Sequence, residues 1–324
     1  MVTKIYDCSN SADRPIHRNG GGPKANNIIT YLKDFAHKYD CIFTEKFVEA
    51  EVAITNDVFP DFVANSSIRK VKRMDGVFFL ESLKERNEPY NKAAQIADHV
   101  IFISEFSKCS YFELYSNNIK SYSIAVNRAG HEFYPDKNKN INEKLSPIAV
   151  AVASDWSRKE KRIDDIIKFA EYLKDHGKPM QKTGIFLIGK YDGKVPDNII
   201  KCGYISSHNE TANIMRKCDY MVNFSYKDPC PKTVAQGVSC GLPIFYANSG
   251  GTKEMIYAGI GVPDQKSIKF EEDIPPLNFA DILENWNVFI RNLKELSNCA
   301  KNFDGQSAFE TMLSNYFDTI KKGN

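Results

Sequence analysis

The chain has 324 residues, of which 42% are hydrophobic and 26% charged, with a formal net charge of +2. That length exceeds one typical hydrophobic core and suits two soluble domains. The near-neutral charge gives no reason to expect nucleic acid and leaves room only for weak peripheral membrane contact through basic side chains. In chain order, apolar runs predict strands over 4–8, 40–44, 52–55, 70–74, 100–104 and 121–126. Helical spacing marks 24–37, 91–97 and 106–115 between them. The start of the chain reads as a first strand rather than a signal peptide. A polar run, Asp136 to Lys144, reads as a linker.

Beyond it the pattern restarts. Strands are predicted over 148–153, 185–188, 200–205, 221–224 and 244–247, and helices over 164–176, 210–217, 232–240 and 252–257. From Phe279 onward the chain reads as two long amphipathic helices broken near Asp304–Gly305. Alternating strands and helices argue for parallel α/β structure. Two basic runs stand out, Ile68 to Arg73 and Arg158 to Arg162. The first reads as a solvated face. The eight cysteines lack metal-ligand spacing and read as reduced thiols of a cytoplasmic protein, with Cys8, Cys41 and Cys240 as small buried hydrophobes.

The richest segment runs from Tyr226 to Glu254 and follows the apolar run Tyr220 to Phe224. A buried strand ends at Phe224, a loop carries Asp228-Pro-Cys-Pro231, and a helix begins at Lys232. Gly241-Leu-Pro243 closes that helix. After the next strand, Ser249-Gly250-Gly251 opens a second helix at Thr252. Two strand-to-helix turns side by side would bring two sets of helix N-terminal N–H groups to one sheet edge, a setting that favours phosphates.

This segment resembles the donor-binding signature of the retaining family-4 (group 1) glycosyltransferases, in their Asp-Pro-Cys-Pro branch. The usual pattern is an acid, seven residues, a Glu, then Ala-x-x-x-Gly-x-Pro and Gly-Gly-x-x-Glu. Asp228, Gly241, Pro243, Gly250, Gly251 and Glu254 match it, whereas Gln236 stands where the family has Glu for the nucleotide ribose. Glutamine keeps hydrogen bonding but not the strength of a carboxylate. A second match is Trp156-Ser-x-x-x-Lys161 with Asp164, against the family's Gly-Arg-x-x-x-x-Lys-Gly-x-Asp. There Ser154-Asp155 replaces Gly-Arg, so the resemblance gives Lys161 to the donor phosphates and leaves Arg158 to supply the missing charge.

The resemblance implies the GT-B architecture, two Rossmann-like parallel-sheet domains facing a cleft. Residues 1–140 would form the acceptor-side domain, 141–303 the nucleotide-sugar domain, and 304–324 a helix crossing back to the first domain. It implies a metal-independent retaining enzyme without a cofactor, consistent with the lack of an Asp-x-Asp pair. The donor would be a nucleotide-diphosphate sugar of UDP or GDP type, and the acceptor a hydroxyl of a glycan, lipid-linked sugar or glycoprotein. Asp228 and Asp75 would act at the sugar. Gly20, Gly21, Gly22, Arg158, Lys161, Pro231, Lys232, Thr233, Gln236, Gly250, Gly251 and Glu254 would bind the donor. Asp75 before Gly76 equally suits a turn cap, and the loop Asn127-Arg-Ala-Gly130 reads mainly as structural, with Arg128 able to face the cleft. The substitutions at Gln236 and Asp155 keep open a degenerate relative that binds a nucleotide sugar or a partner without turnover. A sugar-nucleotide epimerase or phosphorylase on the same architecture is the other alternative.

Overall fold

The computed structural model describes residues 2–8, 28–115, 118–139, 147–176 and 184–322. These fall into two compact units. The first takes the described residues within Met1–Val126, Ile268–Glu272 and Glu310–Asn324, and the second those within Asn127–Ser267 and Asp273–Phe309. The chain thus leaves the first unit at Val126, ahead of the polar run 136–144.

Unit 1 contains β1 (Thr3–Asp7), α1 (Ile28–Phe35), β2 (Cys41–Thr44), β3 (Val52–Thr55), α2 (Asp61–Ala64), β4 (Arg69–Met74), α3 (Glu88–Ile96), β5 (His99–Phe102), α4 (Glu105–Leu114) and β6 (Tyr122–Ile124). The strands form one parallel sheet in the order β2-β1-β3-β4-β5-β6. Ser104 caps α4, its Oγ accepting from Ser107 N at 2.9 Å. Glu271 adds an extended segment, its N–H donating to Phe79 O at 2.8 Å and its carbonyl accepting from Glu81 N at 2.9 Å.

The basic run 68–73 is not a solvated face: it is β4, and Lys70, Lys72 and Arg73 are buried. Each charge is met by oxygen, without which burial would be prohibitive. Lys70 Nζ donates to Ser66 O at 2.7 Å, and Lys72 Nζ to Asn56 O and Arg73 O at 2.8 and 2.6 Å. Arg73 Nε donates to Tyr316 Oη at 3.0 Å, and its Nη1 pairs with Asp75. Tyr316 lies on α10 (Gly305–Lys321), whose residues from Glu310 onward belong to unit 1. The same helix end stacks Phe317 on Tyr39 with centroids 4.5 Å apart.

Unit 2 contains β7 (Ala149–Asp155), α5 (Ile163–His176), β8 (Ile185–Lys190), β9 (Ile199–Gly203), α6 (His208–Lys217), β10 (Tyr220–Asn223), α7 (Lys232–Ser239), β11 (Ile244–Asn248), β12 (Gly259–Pro263), α8 (Phe279–Arg291) and α9 (Leu293–Ala300). Its parallel sheet has the order β12-β11-β10-β7-β8-β9. All four residues of β10 are buried, as expected of a strand covered on both faces. On α5, Ile166, Phe169, Ala170 and Leu173 repeat at helical spacing toward the sheet, with Asp164 and Asp165 in the first turn and Lys174 and His176 in the last, as the helix dipole favours.

Phe169 meets Trp286 at 5.1 Å, Phe245 at 5.6 Å and Phe224 at 5.9 Å between centroids. Each such buried side chain stabilises the unit by about 1.5–3 kcal/mol. Phe224 follows β10 directly, so this cluster fixes where the next loop begins.

Two expectations change here. The helix foreseen over 252–257 is a four-residue 3-10 turn, Thr252–Met255, so one full helix N-terminus, that of α7, stands behind the loops after β10 and β11. The region after Phe279 is three helices, because Asn292 leaves helical geometry between α8 and α9. The cysteines are all free, with Cys8, Cys41 and Cys240 buried. No helix among the described residues is long and apolar enough to cross a membrane.

Candidate functional site

The strand order of unit 2 reverses between β7 and β10. From β7 the chain moves outward to β8 and β9, and from β10 to β11 and β12 on the other side. Loops leaving the carboxyl ends of these two central strands diverge, and open α/β sheets bind ligands in the resulting crevice. Lys161 ends the 3-10 turn Lys159–Lys161 after β7, and Asp228 lies in the loop after β10. Lys161 Nζ donates to Asp228 Oδ2 at 2.7 Å, with side chains only 13% and 16% exposed.

The surrounding backbone over-determines that meeting. Tyr226 N donates to Glu160 O at 2.8 Å, tying the two loops two residues before Asp228 and one residue before Lys161. Lys227 then takes φ 45°, an uncommon conformation for a residue with a β-carbon, and its N–H donates to Ser249 Oγ at 3.1 Å. Asp228 Oδ1 accepts from Cys230 N at 3.2 Å, closing a turn. Its carbonyl accepts from Gly251 N at 2.9 Å. Gly250, at φ 69°, lies so close that a β-carbon there would come within 2.8 Å of Asp228 N and nearer still to Asp228 O. The Gly250-Gly251 pair therefore serves as a seat for the Asp228 backbone.

Pro231 is buried and begins α7 with no side-chain cap on the helix N-terminus. Lys232 is exposed, and Thr233 and Gln236 are half-buried on the same helix. The helix stops at a Schellman motif: Leu242 N donates to Gly237 O and Gly241 N to Val238 O, both at 3.0 Å, with Gly241 at φ 74°. Glu254 is half-buried in the 3-10 turn after Gly251.

Other expected residues have partners or exposure of their own. Arg158 is exposed and engaged by Glu160, its Nε donating to Oε1 at 2.7 Å. Asp155 accepts from Ser157 Oγ at 2.7 Å and Ser157 N at 2.9 Å, bonds that hold its carboxyl below the usual range. It caps the turn that buries Trp156, whose Nε1 donates to Ile188 O at 3.0 Å. Asp164 is exposed, whereas Asp165 is buried and accepts from Leu277 N at 2.9 Å. Asp75 belongs to unit 1, is exposed and pairs with Arg73. Gly20, Gly21 and Gly22 lie outside the described residues.

Two residues of the site escaped the sequence reading. Lys227 is buried beside Asp228, its ammonium 4.9 Å from the Tyr226 ring centroid. Arg162, next to Lys161, is buried at φ 50°. Neither has a local signal, since a lysine or arginine in a polar loop reads as exposed. Arg128 is half-buried, and burial pulls its guanidinium below its usual range.

No protein-family model and no curated protein matches this chain. Solved structures do. A glycosyltransferase from Rickettsia africae ESF-5 is 14% identical with a TM-score of 0.65, over 99% of this chain and 98% of that one. Sucrose-phosphate synthase from Thermosynechococcus elongatus is 15% identical with a TM-score of 0.63, over 93% and 79%. Anabaena HepE, in complex with UDP-glucose, is 12% identical with a TM-score of 0.59, over 98% and 100%. At such identities the likeness is one of fold, and with two six-stranded parallel sheets flanked by helices the chain has the two Rossmann-like units of the GT-B fold.

Proposed function

We propose that this chain is a glycosyltransferase that moves a sugar from a nucleotide-diphosphate sugar to an acceptor hydroxyl. The observation that carries the proposal is the Lys161–Asp228 pair at the strand-order reversal of unit 2. A departing diphosphate develops negative charge that a protein must neutralise where it forms. Lys161 and the uncapped N-terminus of α7 supply positive ends, and Asp228 supplies an acceptor for sugar hydroxyls beside them. Support for a nucleotide sugar comes from HepE, solved with UDP-glucose, and from a TarM mutant solved with UDP and alpha-GlcNAc-glycerol.

In this scheme the acceptor oxygen bonds to the anomeric carbon as the bond from that carbon to the phosphate oxygen breaks. The acceptor proton passes to the departing phosphate. Attack from the face the nucleotide leaves retains the anomeric configuration, and Asp228 offsets positive charge on the sugar. Lys161 takes the neutralising role without a metal. Asp75, at the end of β4, is assigned to sugar or acceptor hydroxyls.

A second reading is binding without turnover. It is favoured by Asp155, whose carboxylate takes the place of the phosphate arginine, and by Arg158, whose guanidinium is held by Glu160.

A panel of nucleotides and nucleotide sugars, screened by thermal stabilisation and then by donor turnover, separates the two. Selective stabilisation by one diphosphate with transfer to a hydroxyl, lost in Asp228→Ala, is the expected result. Stabilisation without turnover supports the second reading. Absence of any ligand effect on the folded protein sinks the transferase and leaves the second reading only as binding of a partner.

A further inference from the structure

Arg162 sits where a β-carbon is disfavoured, at φ 50° directly after Lys161. Its side chain is buried, 3% exposed. Nη1 and Nη2 donate to Asp264 Oδ2 and Oδ1 at 2.7 and 3.1 Å, a two-pronged pair at the end of β12. Asp264 Oδ1 also accepts from Gln265 N at 2.8 Å, so the carboxylate is held on both oxygens. The guanidinium carbon lies 4.6 Å from the Tyr226 ring centroid. Nε is buried without a hydrogen-bond partner, 3.9 Å from Asp165 Oδ2.

An arginine that occupies a strained backbone position, and leaves one donor unmatched, is not explained by stability alone. What its contacts share is geometry. Tyr226 stands two residues before Asp228, and Arg162 one residue after Lys161. Asp264 anchors the guanidinium between them from a third strand.

We propose that Arg162 is the positioning residue of this site: it fixes the Lys161 ammonium against Asp228 through Asp264 and the Tyr226 ring. The proposal rests on the donor-site reading of Lys161 and Asp228, and adds which residue sets their separation.

The test is a double-mutant cycle of Lys161→Ala and Asp228→Ala on unfolding of the full chain. Both tryptophans, Trp156 and Trp286, lie in unit 2, so their fluorescence follows the unit concerned. In the otherwise native chain the pair is expected to couple by about three- to tenfold in the unfolding constant. In an Arg162→Gly background, where glycine suits the backbone and keeps the loop folded, that coupling should vanish. Asp264→Asn approaches from the other side and should give the same loss.

Coupling undiminished in both variants, or absent from the native chain, overturns the proposal. Calorimetry with UDP and GDP then addresses the reading beneath it. Arg162→Gly is expected to weaken the bound nucleotide at least about fivefold, as loss of one charge-assisted contact would. If neither nucleotide binds the native chain while the coupling behaves as described, the donor reading falls and the positioning role stands.

Discussion

Replacing Gly250 with alanine should displace Asp228 without touching a functional side chain. Gly250 holds φ 69°, which an L-residue adopts at a penalty of about 1–2 kcal/mol. The added β-carbon would also sit within 2.8 Å of Asp228 N and Lys227 C, and closer to Asp228 O. These are backbone atoms and cannot rotate away. Relieving such overpacking typically costs about 1–3 kcal/mol, so unit 2 should lose roughly 2–5 kcal/mol in all. The shift also strains the bond from Gly251 N to Asp228 O, now 2.9 Å, and pulls Asp228 off Lys161. Urea unfolding followed by tryptophan fluorescence measures the first effect, and sugar transfer by the still-folded fraction measures the second. An unchanged midpoint together with unchanged transfer would refute the reasoning that Gly250 seats the Asp228 backbone.

Lys161→Ala should weaken nucleoside diphosphate binding by about 1.5–3 kcal/mol, the worth of a hydrogen bond to a charged group. Calorimetry showing equal affinity would remove Lys161 from the phosphate site. In unit 1, burial pulls the Lys72 ammonium down to about 8 from an ordinary 10.5, against the pull of Asp75 and Asp57. Between those values the unfolded chain holds the proton and the folded chain has released it, so stability should rise with pH through that window. The lysine signal of Lys72, followed by magnetic resonance, should titrate near 8, and a midpoint at 10.5 would show the group solvated. His99 acts in the same sense at lower pH: burial, then Arg69 and Lys322, pull it down to about 4 while its ring nitrogens meet Ser121 Oγ and Ser123 Oγ at 3.0 and 2.9 Å. Unfolded His99 takes up its proton near 6.5 and the folded residue only near 4, so stability contributed above 6.5 is lost as pH falls toward 4. A His99→Gln variant should flatten that acid limb, and an unaltered limb would place its cause elsewhere.

Much of the architecture was readable because parallel strands covered on both faces are written as short apolar runs. Val52 to Thr55 and Ile244 to Ala247 announce themselves without any partner in view. The Asp228 loop, the Schellman stop at Gly241 and the Gly250-Gly251 turn are equally local, since each depends on backbone angles that a few residue types favour. Local pattern fails where a charge finds its partner across the sheet. Lys70, Lys72 and Arg73 look solvated in sequence and are buried in β4, because carbonyls of neighbouring loops and Tyr316 meet their charges. The helical spacing after Gly251 was misleading, since Thr252–Met255 is a four-residue 3-10 turn.

The sequence by itself determined which segments become strands and which loops carry the acids, bases and glycines. Tertiary structure alone decided their meetings. Lys161 and Asp228 are 67 positions apart, and Arg162 and Asp264 are 102 apart. They converge because strand order reverses between β7 and β10 and returns the chain through β12, a long-range choice that no window of residues records.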